Sequence, residues 1–238
     1  MGDLHRVGGP SRPGVTTAAK TALLLSLLFI VVYGGTNWIT SQRSEVGTWH
    51  YAWEFAIPFV PLMIVPYMSI DLCFVAAPFL CRNTVQLKSL ARRITFAILA
   101  AGVCFLLLPL RCEYVKPEID GWLGVVFRTF CSLDQPYNLL PSLHITLTVI
   151  LLDVYVRRTQ RLVRTAVYGW FGLIAASTVL TYQHHVVDVV GGFVLAAICF
   201  YLFPEPAARV PTHTNSRVGL YYASGALALL ALAVFAWP

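Results

Sequence analysis

The chain has 238 residues, of which 58% are hydrophobic and only 12% are charged, and its mean hydropathy is +0.70. These values exclude an ordinary soluble globular domain and are typical of an integral membrane protein. The formal net charge of +6 does not indicate a nucleic-acid partner. The basic residues stand in short connections between apolar segments, where the positive-inside rule accounts for them.

Seven apolar segments follow one another along the chain and predict an all-α, polytopic membrane protein. Their approximate bounds are residues 21–39, 55–80, 94–110, 141–156, 165–182, 186–203 and 218–237. We predict a disordered cytoplasmic tail over residues 1–18, one membrane domain with a six-helix core over residues 19–203, and an additional C-terminal transmembrane helix at 218–237. Four prolines in the second segment predict a kinked helix, and the long polar stretch 111–137 predicts a short amphipathic helix near 122–130.

The distribution of basic residues predicts an orientation. If the amino terminus is cytoplasmic, 13 of the 17 Lys and Arg residues lie in inner connections and four lie outside. This asymmetry is the positive-inside signal. The four outer residues are Arg43, Arg111, Lys116 and Arg128. Residues 111–137 and the two histidine motifs described next then lie on the outer face, which is periplasmic or lumenal.

Two histidine motifs interrupt the apolar pattern. Residues 177–192 read STVLTYQHHVVDVVGG, and residues 138–144 read NLLPSLH. Ionisable side chains in membrane segments are costly and usually functional. On a helix, the four-residue spacing of His184 and Asp188 places them on one face, so the carboxylate can orient the imidazole. One helical hairpin separates His144 from His184, so the chain returns to the same face and the motifs can converge.

These residue types suit phosphoryl transfer, which needs a nucleophile, a proton for the leaving oxygen and neutralisation of the phosphate charge. We predict that His184 attacks phosphorus and that His144 supplies the proton. Ser142 and the free N–H groups at the start of the fourth helix suit an anion. Arg111 and Lys116 are the nearest cations in sequence.

The segment PSLH at residues 141–144, together with the spacing S-x6-H-x3-D that begins at Ser177, resembles the type 2 phosphatidic acid phosphatase superfamily. Its signature is a Lys/Arg-Pro motif, then PSGH, then SR-x5-H-x3-D. The resemblance covers roughly residues 55–203 and implies a six-helix membrane bundle that works without metal or cofactor. It implies that His184 is the nucleophile, His144 the general acid, Asp188 the orienting carboxylate, and that Ser142 and Ser177 lie near the phosphate.

This sequence departs from the signature at several positions. Leu143 replaces the motif glycine, and Thr178 stands where the phosphate-binding arginine is expected. Lys116 and the proline after it fit the end of the first motif, but its leading position falls on Pro109, which leaves Arg111 as a substitute. PSLH with a doubled histidine also resembles the branch that includes inositol phosphorylceramide and sphingomyelin synthases.

The predicted function is hydrolysis of a lipid phosphate or pyrophosphate ester through a phosphohistidine, with transfer of a phospho-headgroup to an alcohol as the alternative. The predicted partners are the lipid substrate and membrane lipids, with no nucleic acid and no protein partner. A metal site built from His144, His184, His185 and Asp188 lacks the compact spacing of zinc motifs. A transporter or membrane scaffold with a polar cluster is the non-enzymatic alternative.

Other ionisable residues allow more than one interpretation. His185 is either a contact of the site or an interfacial structural residue, and Asp71 forms either a helix–helix hydrogen bond or part of a proton path. The four-residue spacing of Asp153 and Arg157 predicts an ion pair, and His50 has no partner in sequence. Two outer-loop cysteines form either a disulfide or two free thiols; they are Cys112 and Cys131.

Overall fold

The computed structural model describes residues 11–205, which are mainly helical and contain no β-strand. The all-α prediction is confirmed. The helices are α1 (Val15–Phe29), α2 (Gly35–Ser41), α3 (Ile64–Leu80), α4 (Thr84–Leu107), α5 (Gly121–Leu133), α6 (Leu143–Arg158), α7 (Arg161–Leu180) and α8 (Val186–Leu202). A π-helical turn, Ile30–Gly34, joins α1 and α2 into one continuous helix. The predicted C-terminal helix at 218–237 lies outside the described residues.

Four helices are long and apolar enough to cross a membrane: Val15–Ser41, Pro61–Leu80, Thr84–Leu107 and Arg161–Leu180. They support a membrane protein, as the composition predicts. Large apolar side chains point outward from these helices, as Leu72 and Leu107 do, and such surfaces suit lipid. The predicted six-helix core stays a prediction, because α6 and α8 are shorter, with 16 and 17 residues.

Two predicted helix boundaries are wrong. α4 begins at Thr84, ten residues before the predicted start, because Asn83 caps it by accepting a hydrogen bond from the Gln86 amide (2.8 Å). Of the basic residues predicted to lie in the connection, Lys88, Arg92 and Arg93 therefore belong to the helix, and Arg82 lies before it. α3 begins at Ile64, after the 3₁₀ turns Ala52–Ala56 and Pro61–Met63, so the predicted helical start at 55 is also wrong.

Helix α6 lies at the centre of the bundle and contacts α3, α4, α7 and α8. Its first turn is in backbone contact with the first turns of α8. The Ser142 amide donates to the carbonyl of Asp188 (2.9 Å), and Thr146 Oγ1 donates to the carbonyl of Gly192 (3.0 Å). A Cβ atom on Gly192 would lie 2.6 Å from the Ser142 carbonyl oxygen, so only glycine permits this approach.

The two ends of the bundle are organised differently. At the end distant from the histidines, Asp153 pairs with Arg157 (2.7 Å), as the sequence predicts, and with the buried Arg93 (3.3 Å). At the other end, α5 lies over the bundle and packs Phe127 against Ile64 and Tyr67. The amphipathic helix predicted near residues 122–130 is therefore confirmed, and it covers the region where the histidine motifs meet.

Candidate active site

A cavity of about 230 Å³ lies where α1, α3, α5 and α6 approach the connection between α7 and α8. Its polar lining consists of His144, His184, Asp71, Asp134 and Asn138. Five aromatic rings also line it: Phe29, Tyr33, Tyr67, Phe74 and Phe130. The fold thus brings the two predicted catalytic histidines, which are 40 residues apart in sequence, to one cavity.

His184 is held by its backbone and faces a carboxylate. Its amide donates to the carbonyl of Thr178 (3.0 Å), and its side chain is buried. Nδ1 lies 3.6 Å from Oδ2 of Asp188, an ion-pair distance that is longer than a hydrogen bond. Such contacts in unliganded sites often shorten when substrate binds. Asp188 is itself fixed, because its Oδ2 accepts from the His185 amide (2.8 Å) at the start of α8.

His144 lies in the first turn of α6 with its ring stacked on Tyr67 (4.1 Å between centroids, 20° between planes). Its Nε2 is buried and has no hydrogen-bond partner within the described part of the chain. His144 and His184 are close enough to interact electrostatically. This imidazole is therefore positioned by packing, and its Nε2 is left without a hydrogen bond in the described residues.

The two predicted phosphate-binding serines do not line the cavity. Ser142 Oγ accepts from the Ile145 amide (3.3 Å) and so caps α6, which begins at Leu143 and not at the predicted residue 141. Ser177 Oγ donates to the carbonyl of Ile174 (2.6 Å). Both side chains are completely buried. Their predicted contact with phosphate stays a prediction.

The two predicted cations also lie outside the cavity lining. Arg111 is exposed, pairs with Glu113 (2.9 Å) and lines a separate surface depression with Arg43 and Glu45. Lys116 lies nearer, because its Nζ donates to Oε1 of Gln183 (3.0 Å), the residue before His184. Among the described residues that line the cavity there is no lysine or arginine.

A buried carboxylate that the sequence pattern did not indicate contacts residues 184–188, the HHVVD motif, from a position outside the cavity lining. Glu54, in the 3₁₀ turn Ala52–Ala56, is completely buried. Its Oε2 lies 2.9 Å from Nδ1 of His185 and accepts from the Val186 amide (3.2 Å), while Oε1 accepts from the Tyr51 amide (3.1 Å). Burial raises the pKa of Glu54, but these hydrogen bonds outweigh it, and the pKa lies below its usual value.

His185 is structural and does not line the cavity. Its Nε2 accepts a hydrogen bond from the Glu113 amide (3.2 Å), so Nδ1 carries the ring proton and donates a hydrogen bond to Oε2 of Glu54. Tyr114 stacks on the same ring (4.5 Å), and His50 packs on it (5.3 Å). His50, which has no partner in sequence, thus has a ring contact in the fold. Glu54 and His185 are 131 residues apart, and no spacing rule connects them.

Two further polar residues enter the cavity from the loop after α5. Asp134 Oδ1 accepts from the Tyr33 hydroxyl (3.1 Å) and from Nδ2 of Asn37 (3.3 Å), and burial raises the pKa of Asp134. Asn138 donates to the carbonyl of Tyr33 (2.8 Å). The sequence pattern singled out neither Asp134 nor Asn138 as a site residue.

The two cysteines of the stretch 111–137 are both free thiols, so of the two alternatives the disulfide is absent. Cys112 donates to the carbonyl of Tyr182 (3.6 Å), and Cys131 lies 3.8 Å from Nζ of Lys116. Within residues 11–205, no group of three or more His, Cys, Asp or Glu side chains has the arrangement of a metal site.

Comparison with known proteins adds one finding to this geometry. A family model described as the PAP2 superfamily, the type 2 phosphatidic acid phosphatases, matches residues 49–202. The matched segment includes both histidine motifs and begins just before the 3₁₀ turn that carries Glu54. No curated protein matches the chain.

Proposed function

The chain belongs to the PAP2 superfamily, whose members are phosphoesterases, and from this premise we propose that it cleaves a phosphate ester of a membrane lipid. In this proposal the phosphoryl group passes first to His184 and then to water. The observation that carries it is the shared cavity of His144 and His184, with Asp188 facing the second imidazole.

Each residue has one role in the proposed reaction. Nδ1 of His184 faces Asp188, which leaves Nε2 to attack phosphorus. As the N–P bond forms, the P–O bond to the lipid alcohol breaks, and its electron pair goes to the leaving oxygen, which takes a proton from His144. A water molecule then gives a proton to His144 and attacks phosphorus, which releases His184.

The proposed experiment separates the roles of the two histidines. Protein purified in detergent is assayed with a chelator present on a lipid phosphate and on a phosphate ester with an acidic nitrophenol leaving group. His184→Ala should abolish both activities. His144→Ala should slow release of the lipid alcohol by about 10²–10⁴-fold, as for a missing general acid, yet retain a fast first release of one nitrophenol per enzyme, because that leaving group needs no proton. Loss of this first nitrophenol release in His144→Ala would contradict its role as the acid, whereas slow later turnovers on both substrates follow from loss of the group that takes the proton of water.

A second candidate is transfer of a phospho-headgroup to a lipid alcohol. The observation that favours it is the absence of lysine and arginine from the described cavity lining, since a dianionic phosphate monoester gains most from such cations. Adding diacylglycerol or ceramide to the assay distinguishes the two. Phosphate release that is independent of the acceptor identifies a hydrolase, whereas a new phospholipid with little free phosphate identifies a transferase.

We propose further that the cavity lies at the outer end of the membrane domain, with the amino terminus in the cytoplasm. The excess of Lys and Arg in the predicted inner connections supports this orientation. The domain limits of residues 19–203 are part of the same proposal, and the family match to residues 49–202 lies within them.

A further inference from the structure

Part of the cavity lining consists of hydrogen-bond acceptors that the protein leaves unused. Asn138 is only 2% exposed, and its Oδ1 has no hydrogen-bond partner in the described residues. Asp71 lines the same cavity from the middle of α3 and makes no hydrogen bond or ion pair within residues 11–205. Of the two alternatives that the sequence raises for Asp71, the helix–helix hydrogen bond is therefore absent from the described residues, and the proton path stays a prediction. Buried acceptors without partners are rare in folded proteins, so Oδ1 of Asn138 indicates a ligand that donates hydrogen bonds. The carboxylate of Asp71 is exposed and unpaired within residues 11–205, so it is available to the same ligand.

The charge of the lining indicates what kind of donor fits. Two carboxylates, Asp71 and Asp134, share the cavity with five aromatic rings, and no lysine or arginine of the described chain lines it. Carboxylates attract a cation, and the faces of aromatic rings stabilise it further. The same carboxylates would repel a phosphate monoester, which has two negative charges. A phosphate group that carries a positively charged substituent would be repelled less.

We propose that the cavity binds the headgroup of a phospholipid that carries a primary ammonium group. This inference rests on the proposed function and narrows its substrate. The ammonium would donate charge-assisted hydrogen bonds to Asp71 and Asp134 and a further one to Oδ1 of Asn138, while the phosphorus lies at His184. A volume of 230 Å³ is below that of pockets for drug-sized ligands, about 300–1,000 Å³, so it suits a headgroup whose acyl chains remain in the bilayer.

The headgroup stays on phosphorus throughout the proposed reaction. Attack by His184 forms the N–P bond and breaks the P–O bond to diacylglycerol, whose oxygen takes the proton of His144. Attack by water or a lipid alcohol then breaks the N–P bond and returns the proton to His144. The product is the phosphorylated headgroup or its ester, and no oxidant, reductant or metal enters the balance.

Four lipids with the same acyl chains separate charge from hydrogen bonding. Phosphatidylethanolamine has a positive charge and N–H donors, phosphatidylcholine has the charge alone, phosphatidylglycerol has neutral hydroxyl donors, and phosphatidate has no headgroup. We expect phosphatidylethanolamine to give the highest kcat/KM and phosphatidate the lowest. Faster turnover of phosphatidate, phosphatidylcholine or phosphatidylglycerol than of phosphatidylethanolamine would overturn the assignment.

The variant Asp71→Asn keeps the side-chain shape and removes the charge. Loss of one charge-assisted contact should lower the preference for phosphatidylethanolamine over phosphatidate by about tenfold. The matched control is Asp120→Asn, at an exposed aspartate before α5 that does not line the cavity, which should leave the preference unchanged. An unchanged preference in Asp71→Asn would overturn the proposal.

A second measurement does not depend on any variant at Asp71. In the wild-type protein, soluble phosphoethanolamine should compete with substrate better than phosphocholine or glycerol phosphate, and equal competition by all three would contradict the ammonium site. His184→Ala distinguishes the two proposals. Activity that persists in His184→Ala contradicts the proposed function, whereas activity lost in His184→Ala but indifferent to headgroup contradicts this inference alone.

Discussion

The substitution Glu54→Gln tests how far the buried carboxylate holds the HHVVD motif in place. The replacement keeps the volume and one acceptor oxygen but turns the other oxygen into an NH₂ group. If that NH₂ group takes the position of Oε2, it faces the Nδ1–H of His185 and the Val186 amide, which both donate to that atom in the wild type. If the amide flips, the Tyr51 amide loses its acceptor instead.

The cost follows from counting the donors left without an acceptor. Each buried unsatisfied donor costs about 1–3 kcal/mol, so two such donors lower the free energy of unfolding by about 2–6 kcal/mol and the flipped arrangement by about half as much. The loss also displaces the start of α8, which carries Asp188. We therefore expect a lower melting temperature together with a fall in kcat on any substrate.

Tryptophan fluorescence on heating in detergent measures the first effect, and steady-state kinetics measure the second. Glu118→Gln is the matched control, because Glu118 is an exposed glutamate in the stretch 111–137, and its replacement should change neither quantity. The pKa of Glu54 is depressed, so its contribution to stability is present above the usual carboxyl pKa and is lost as the pH falls through the lower folded-state pKa. The difference between wild type and Glu54→Gln should accordingly shrink at acid pH. A variant that melts and turns over like the wild type at neutral pH would refute this reasoning.

Three further predictions concern the same end of the bundle. Asp188→Asn should reduce kcat by about 10²-fold or more, because the imidazole of His184 loses its orienting charge; a wild-type rate would remove Asp188 from the mechanism. Gly192→Ala should lower the free energy of unfolding by about 1–3 kcal/mol through overpacking, because its Cβ would lie 2.6 Å from the Ser142 carbonyl oxygen; Gly169→Ala, where no atom lies within 4 Å, is the control and should not destabilise. In sealed vesicles with a right-side-out orientation, a membrane-impermeant maleimide should label the exposed thiol of Cys131 in a variant that retains only this cysteine, and labelling only after permeabilisation would reverse the proposed orientation.

Local spacing predicted that His184 and Asp188 face each other. They do so at 3.6 Å, although α8 begins at Val186 and His184 lies before it. The N-cap role of Ser142 was not predicted, because the helix was expected to begin at residue 141. The convergence of His144 with His184 followed from counting helices. The two predicted features depend on the spacing of residues along the chain and on the number of helices between them, and both can be read from a single sequence.

Contacts between distant segments could not be read in the same way. The pairing of Glu54 with His185 joins segments that are 131 residues apart, and Glu54 stands among aromatic residues that resemble an interfacial belt. Arg111 was predicted to face the phosphate, but the adjacent Glu113 pairs with it on the surface. The start of α4 was missed for a different reason, since an apolar window ends where charged residues begin, although a capped helix continues through them.

The close contact between α6 and α8 also decides which walls of the cavity can adapt. Because Gly191 and Gly192 bring backbone against backbone at the first turn of α6, His144 and His184 are carried by a single rigid unit. Helix α5 and the loop after it meet the bundle through side chains such as Phe127, which can be exchanged without moving either histidine. Substitutions that adapt the cavity to a different ligand can therefore accumulate on that side, while the two imidazoles keep their spacing.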